Sequence, residues 1–366
     1  GLLVKVRGDA AQVRMHMANA LGADRVEPIL TVPVGAPTPT TRGLRAAADA
    51  TWYRIDDGGD EHPWDAAYQV LLERGARFAA NPAADIEAVE PDFEQDWFAP
   101  SEEPGPAMGI AGACVFHPQD RDGGKAASES GNAWNLQDPY SELRHARATL
   151  GDGDLRRVVI AHLDTGYDPG HVTLPVHLDH ERQRNFRDRD RPGDATDRTP
   201  DGLAAFRSQG HGTATLALLA GNRVPDTAPS WPAFGDYLGG APFATVIPIR
   251  IADWVVRFST STMVQGFQHA LAMGAHVLTM SMGGLTSRAL VDAVNLAYDA
   301  GLFMVTAAGN NYAKLPTPKS IVFPARYRRV LAACGVMADG RAYTDLDFRT
   351  MQGNYGPHSK METALG

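Results

Sequence analysis

This sequence predicts an α/β protein with a mostly parallel sheet, preceded by a small α+β unit, and three observations carry that prediction. From about residue 157 onward, apolar β-prone runs alternate with helical repeats, a pattern that requires parallel pairing through right-handed crossovers. The front of the chain shows strands and helices in a different, split order. Between the two, from Ala99 to about Gly131, Pro100, Pro104, Pro106, Gly109, Gly123 and Gly124 stand among Ser and charged residues, which marks an exposed linker. The expected organisation is a small domain over 1–98, a connecting region over 99–131 and a large domain over 132–366.

The 366 residues suffice for one large and one small domain. No run of about 18 apolar residues occurs, so no membrane span is expected. A formal net charge of -9 argues against a nucleic-acid partner. The basic residues are interspersed with acids, as in Arg182 to Arg191, which reads as a solvated loop. Cys114 and Cys334 are too few for a disulfide scaffold or a four-cysteine zinc site, and one disulfide or two thiols both stay open.

In the front domain, Leu2 to Val6 reads as a strand, and Val13, Met17, Ala20 and Leu21 recur at helical spacing. Val26 to Val34 gives a second strand before a Pro/Thr/Gly loop. Thr51 to Ile55 is β-prone, Trp64, Tyr68, Leu71 and Leu72 form the apolar stripe of a second helix, and Ile86 to Val89 supplies the last strand. This order is the split βαβ arrangement of ferredoxin-like modules. In the large domain, Arg157 to Leu163 is an apolar run interrupted only by His162, as in a strand buried on both faces, and it ends at Asp164-Thr165-Gly166. Gly210-His211-Gly212-Thr213 then opens a helix, with the histidine between two residues that lack side-chain bulk. Thr262 with Gln265 reads as a capping box ahead of Val264, Phe267 and Leu271. The strand Val277 to Met280 leads to Ser281-Met282-Gly283-Gly284. A helix through Leu290, Val294 and Ala297 precedes the strand Leu302 to Thr306, which runs into Ala307-Ala308-Gly309-Asn310.

In open α/β sheets, sites gather at the carboxyl ends of the strands. Asp164, His211 and Asn310 are therefore expected on one edge. A buried carboxylate can hold an imidazole in the tautomer of a general base, and an amide can donate to a forming oxyanion.

In this order the segments resemble the subtilisin-like serine proteases, the subtilase family (peptidase S8), over about Ala133 to Gly366. Val158 to Gly166, with His171 following, is similar to the family's aspartate motif, and Gly210-His211-Gly212-Thr213 to its histidine motif. Gly239-Gly240-Ala241-Pro242 is similar to the segment ahead of a sheet strand. Ser281, Met282, Gly283 and Gly284 resemble the strand lining the substrate groove. Ala307, Ala308 and Gly309 resemble the wall of the specificity pocket, with Asn310 as oxyanion donor. Phe323-Pro324-Ala325 and Asn354-Tyr355-Gly356-Pro357 follow in the family's order. The resemblance implies a subtilisin-like three-layer fold with a mostly parallel sheet behind a ferredoxin-like propeptide domain. Val89-Glu90-Pro91-Asp92 resembles the end of that propeptide, which implies that the front domain assists folding and acts as an intramolecular inhibitor until it is removed, with processing around Asp96 to Gly131.

The implied activity is a hydrolase of polypeptide substrates, a serine endopeptidase with Asp164, His211 and a serine. It requires no cofactor, and family habit admits calcium as a structural ion near Asp188, Asp190, Asp194 and Asp197, although no twelve-residue calcium loop is present. Secretion or a cell-envelope location follows from the same resemblance. The family's Gly-Thr-Ser-x-Ala nucleophile segment does not occur, and Ser359 lacks those neighbours. The expectation is a zymogen-like fragment that stops before the serine and is inactive by itself. An aspartic protease would also fit Asp164-Thr165-Gly166 but needs a second carboxylate and a mainly β chain. The alternative is a non-catalytic peptide-binding relative that keeps the groove. His171, His177 and His180 lack the spacing of helical metal ligands, so no metal site is expected there.

Overall fold

The computed structural model describes residues 1–8, 11, 14–15, 25–33, 49–56, 62–74, 84–96, 135, 140–151, 155–198, 210–224, 234–255, 257–312, 318–336, 342–343 and 351–365. The chain forms two compact units. One contains Gly1–Glu94 with Ser259–Gln268 and Thr286–Asp299, the other Gln95–Phe258 with His269–Leu285 and Ala300–Gly366.

In the first unit, β1 (Leu2–Gly8), β2 (Arg25–Val32), β3 (Ala50–Asp56) and β4 (Ala84–Pro91) make an antiparallel sheet in the order β2-β3-β1-β4. This is the strand order of the split βαβ arrangement. Leu2, Val4 and Val6 alternate onto one face, as the strand period dictates, and meet Val26, Tyr53, Ile55 and Val89 in one core. Helix α1 (Pro63–Gln69), continued by a π turn over Val70–Arg74, covers that face with Ala66, Ala67 and Val70. The stripe expected to be buried, Trp64, Tyr68, Leu71 and Leu72, is exposed instead. The small alanines lie against the sheet, and that contact turns the bulky side chains outward. The helix expected over Val13, Met17, Ala20 and Leu21 lies outside the described residues, as do the linker from Ala99 to Gly131 and Cys114.

The remaining strands follow in chain order: β5 (Glu94–Asp96), β6 (Val159–Asp164), β7 (Arg184–Asn185), β8 (Arg223–Val224), β9 (Phe234–Tyr237), β10 (Thr245–Arg250), β11 (Ala252–Trp254), β12 (Arg257–Ser259), β13 (Val277–Met280), β14 (Phe303–Ala307), β15 (Asn310–Tyr312), β16 (Leu331–Ala333), β17 (Met351–Gly353) and β18 (Ala364–Leu365). Helices α2 (Leu143–Leu150), α3 (His211–Ala220), α4 (Thr260–Ala272), α5 (Arg288–Asp299) and the one-turn α6 (His358–Met361) alternate with them. The second unit is organised by a seven-stranded sheet in the order β18-β16-β14-β13-β6-β10-β7, parallel throughout. Its central strands are buried on both faces, with Ile160, Ala161, Leu163, Val246, Ile247 and Ile249 all inside, which explains their near-continuous apolar sequence. Leu216 and Ala220 of α3 pack with Tyr167, Ala195 and Val246 in a second core. Cys334 is a free, half-buried thiol.

The starts of α4 and α5 belong to the first unit, and its sheet supplies their caps. Asp92 accepts from the Ser261 N–H at 2.9 Å and from its hydroxyl at 2.6 Å. Glu90 accepts from the Arg288 and Ala289 N–H groups at 2.9 and 3.0 Å. Both acids thus meet helix N-termini, where free N–H groups and the dipole favour negative charge. Burial nonetheless raises the Glu90 pKa, against the lowering by those two N–H groups. The expected capping box at Thr262 and Gln265 is not formed. The helix starts at Thr260, Ser259 Oγ accepts from the Thr262 N–H, and the Gln265 amide donates to Glu27 at 2.8 Å. The earlier serine offers the same cap chemistry one turn upstream. On α5, Asp292 accepts from Lys5 Nζ at 2.9 Å and from the Trp52 indole N–H at 2.8 Å.

Glu90→Ala removes the acceptor from two helix N–H groups and is expected to lower local stability by about 1–2 kcal/mol. In hydrogen exchange, the Arg288 and Ala289 amides then exchange roughly tenfold faster, whereas unchanged protection would show that Glu90 caps nothing.

Candidate active site

Strand register sets the level of the site. Leu163 pairs with Met280, and Met280 with Thr306, so the residues that follow, Asp164, Ser281 and Ala307, lie side by side at the carboxyl edge of the sheet. Asp164 is fully buried. Its Oδ1 accepts from the Thr165 N–H at 2.7 Å and faces His211 Nδ1 at 2.7 Å, and its Oδ2 accepts from the Thr215 hydroxyl at 3.0 Å.

His211 is the first residue of α3, and the start of that helix is pressed onto the end of β6. The Gly212 N–H donates to Thr165 Oγ1 at 3.1 Å. A Cβ on Gly212 would overlap the Gly166 carbonyl oxygen, so only glycine lets helix and strand end approach closely enough for the imidazole to reach Asp164. Burial by itself lowers the His211 pKa, but the Asp164 charge, their hydrogen bond and the Asp197 charge together raise it. Burial likewise works against the ionised form of Asp164, yet the His211 charge and hydrogen bond, helped by the Thr165 N–H, hold its pKa below the usual carboxylate value. The pair is therefore an imidazole oriented by a carboxylate that stays ionised. Nδ1 is committed, the His211 side chain is 25% exposed, and Nε2 has no hydrogen-bond partner among the described residues.

The other expected site residues share the same edge. Ser281 and Gly283 are half-buried, Met282 and Gly284 buried. Both backbone groups of Gly284 are taken by Phe323, at 2.8 and 3.0 Å. The Leu285 N–H donates to Gln95 Oε1 at 2.8 Å, and Gln95 belongs to β5, which extends a small sheet in the order β11-β12-β5. Ala307 and Gly309 are half-buried, Ala308 is buried, and Asn310 opens β15 with its side chain exposed. Its neighbour Asn311 is buried and donates to Asn354 Oδ1 at 3.1 Å. Ser359 lies within α6.

Two residues around Asp164 carried no expected role. His162 precedes it by two residues, hence on the same strand face, and Thr215 follows His211 by four, hence on the same helix face. Those spacings are the signals that point to them. Among the described residues, no group of three or more His, Cys, Asp or Glu side chains is placed to hold a metal ion. Arg250 pairs with Asp197 at 3.2 Å and Arg198 with Asp194 at 2.6 Å. No helix among the described residues is long and apolar enough to cross a membrane.

Comparison with known proteins follows the same segments. The model of the Subtilase family (peptidase S8) matches residues 156–361, more than half of the chain. A subtilisin-like protease of Coccidioides posadasii is 32% identical over 155 residues, covering 40% of this chain and 32% of that protein. Subtilisin BL of Lederbergia lenta is 29% identical over 202 residues, covering 54% of this chain and 61% of that protein. The chain thus spans less than two thirds of the length of either relative. Among solved structures, a psychrophilic subtilisin-like protease from Pseudoalteromonas sp. AS-11 overlaps with a TM-score of 0.39 at 20% identity, over 55% of this chain and 41% of that one.

Two measurements check this geometry. A raised folded-state pKa means that the His211 contribution to stability is complete below the unfolded imidazole value of about 6.5 and is lost as pH rises through the folded value. Asp164, whose pKa is held below the usual carboxylate value chiefly by the His211 charge against the cost of burial, keeps its charge across that range. The Tm deficit of His211→Ala is accordingly largest at about pH 5–6 and shrinks toward alkaline pH; a deficit that grows with pH would contradict the pair. Gly212→Ala should cost about 1–3 kcal/mol by overpacking and remove the downfield Nδ1 proton resonance of His211.

Proposed function

This chain belongs to the subtilase family, and on that premise we propose that its second unit carries the base and oxyanion elements of a serine endopeptidase site. The observation that carries the reading is the 2.7 Å bond from His211 Nδ1 to the buried Asp164, which leaves Nε2 for chemistry. In the proposed reaction, Nε2 takes the proton of a serine hydroxyl as it attacks the peptide carbonyl and returns it to the leaving amine. Asp164 holds the tautomer and stabilises the imidazolium. The Asn310 side-chain amide donates to the oxyanion. The backbone of Ser281, Met282 and Gly283 pairs with an extended polypeptide, and Ala307, Ala308 and Gly309 border the pocket for one of its side chains. None of these steps calls on a cofactor, and calcium would serve only as a structural ion.

The reading also assigns residues 1–98 the role of a propeptide and intramolecular inhibitor, with the processing region beyond it, and favours export. Support comes from the docking of Gln95 on the Leu285 N–H, directly after the expected groove. A segment held there competes with a substrate strand for the same edge.

No Gly-Thr-Ser-x-Ala segment occurs in residues 1–366, so the proposal assigns this polypeptide no acyl transfer of its own. Purified 1–366 should neither hydrolyse casein nor react with a fluorophosphonate probe. Inhibitor-sensitive hydrolysis, or labelling at Ser359, would overturn that. Any casein hydrolysis shown by the gene's full translation product should fall at least about 10³-fold in Asp164→Ala or His211→Ala and by roughly 10²–10³ in Asn310→Ala. Peptide binding without turnover in that product would instead favour the non-catalytic relative.

A further inference from the structure

The carboxylate of Asp164 is held from its far side by a polar pair that an apolar strand and helix have no packing reason to contain. His162 is buried within β6, and its Nε2 lies 2.8 Å from Thr215 Oγ1 and 3.7 Å from Asp164 Oδ2. Thr215 Oγ1 in turn lies 3.0 Å from Asp164 Oδ2, 3.2 Å from the His211 carbonyl and 3.1 Å from the Gly212 carbonyl. One hydroxyl carries one proton, and these acceptors compete for it. Left to itself, a helical threonine bonds back to the carbonyl three or four residues earlier.

We propose that His162 is a positioning residue for the Asp164–His211 pair: its Nε2–H donates to Thr215 Oγ1 and so directs the threonine proton onto Asp164 Oδ2. Chemistry selects this tautomer. A bare Nε2 would point its lone pair at the carboxylate 3.7 Å away, and Nδ1 has no acceptor among the described residues. Burial disfavours the doubly protonated ring and lowers its pKa, in spite of the neighbouring Asp164 charge. With Nε2–H donating, the Thr215 oxygen accepts on one lone pair and keeps its proton free to face the carboxylate, which then accepts three hydrogen bonds: Thr165 N–H and His211 Nδ1–H on Oδ1, and Thr215 on Oδ2. Each donor spreads the negative charge and weakens its pull on the His211 proton. Charged groups facing His211 are Asp164 from β6 and Asp197 from the loop before α3, the latter paired with Arg250. Substitution at 162 or 215 leaves both in place.

This inference rests on the reading of Asp164 and His211 as a base pair, but its test needs no hydrolysis. Histidine-labelled 1–366 is titrated by ¹⁵N NMR. In the wild type, the His162 ring should carry its proton on Nε2; a proton on Nδ1 overturns the proposal without any variant. His162→Leu and Thr215→Val should each raise the His211 midpoint by about one pH unit, the size of one hydrogen bond to a charged group. The double variant should move no further than either single one, because the two act in series. His162→Gln, which can still donate, and Thr215→Ser should restore the wild-type midpoint. A midpoint that stays put while Tm drops reduces His162 to packing, and additive shifts break the relay. Thr215→Val and Thr215→Ser change little volume, so that arm stands even where His162→Leu fails to fold. Loss of casein hydrolysis in the full product bears on the protease reading alone.

Discussion

A carboxylate with no access to water has to be satisfied wholly by the protein around it. Asp164 is in that position, and much of the large unit follows from meeting its needs. The strand that carries it ends in Thr165, which gives its N–H to the carboxylate and its hydroxyl to the start of α3. That contact draws the helix down onto the strand end and puts His211 at bonding distance. The price is a strip of backbone-to-backbone packing where no side chain fits, at Gly212 against Gly166. Parallel pairing then levels Ser281 and Ala307 with Asp164 at the carboxyl edge of the sheet.

The N-terminal sheet uses charge in a different way. Glu90 and Asp92 end one edge of it and reach the open N–H groups of two separate helices. An unfolded chain finds such a pairing hard to make early, since the partners are far apart in sequence, and loop closure must precede the gain. A preformed sheet that presents both acids at once lowers that cost for the two helices together.

Much of this was legible from residues alone. The long apolar run before Asp164, the His211 motif and the Gly-bounded repeats pointed to the parallel sheet and to the edge where Asp164 and His211 meet, because buried parallel strands leave little choice of composition. Boundaries shifted where local chemistry offered two solutions: Ser259 and Thr262 can each cap α4, and tertiary contact to Asp92 decides between them. Trp64, Tyr68, Leu71 and Leu72 have helical spacing but point outward, since periodicity fixes that a face exists and not which face meets the sheet. The proposed relay from His162 through Thr215 is less legible, because its members lie on different elements and their shared approach to Asp164 joins them.

Gly284 has no room for a side chain. Its N–H and C=O are spent on Phe323, and a Cβ there would overlap Gln95 Oε1. The seat of the Gln95 amide thus depends on the lack of a single methyl group elsewhere in the same unit. Positions 95 and 284 are thereby co-dependent in sequence: a side chain at 284 would first displace the Gln95 amide. Each of the two codons, 95 and 284, is therefore constrained by the residue the other encodes.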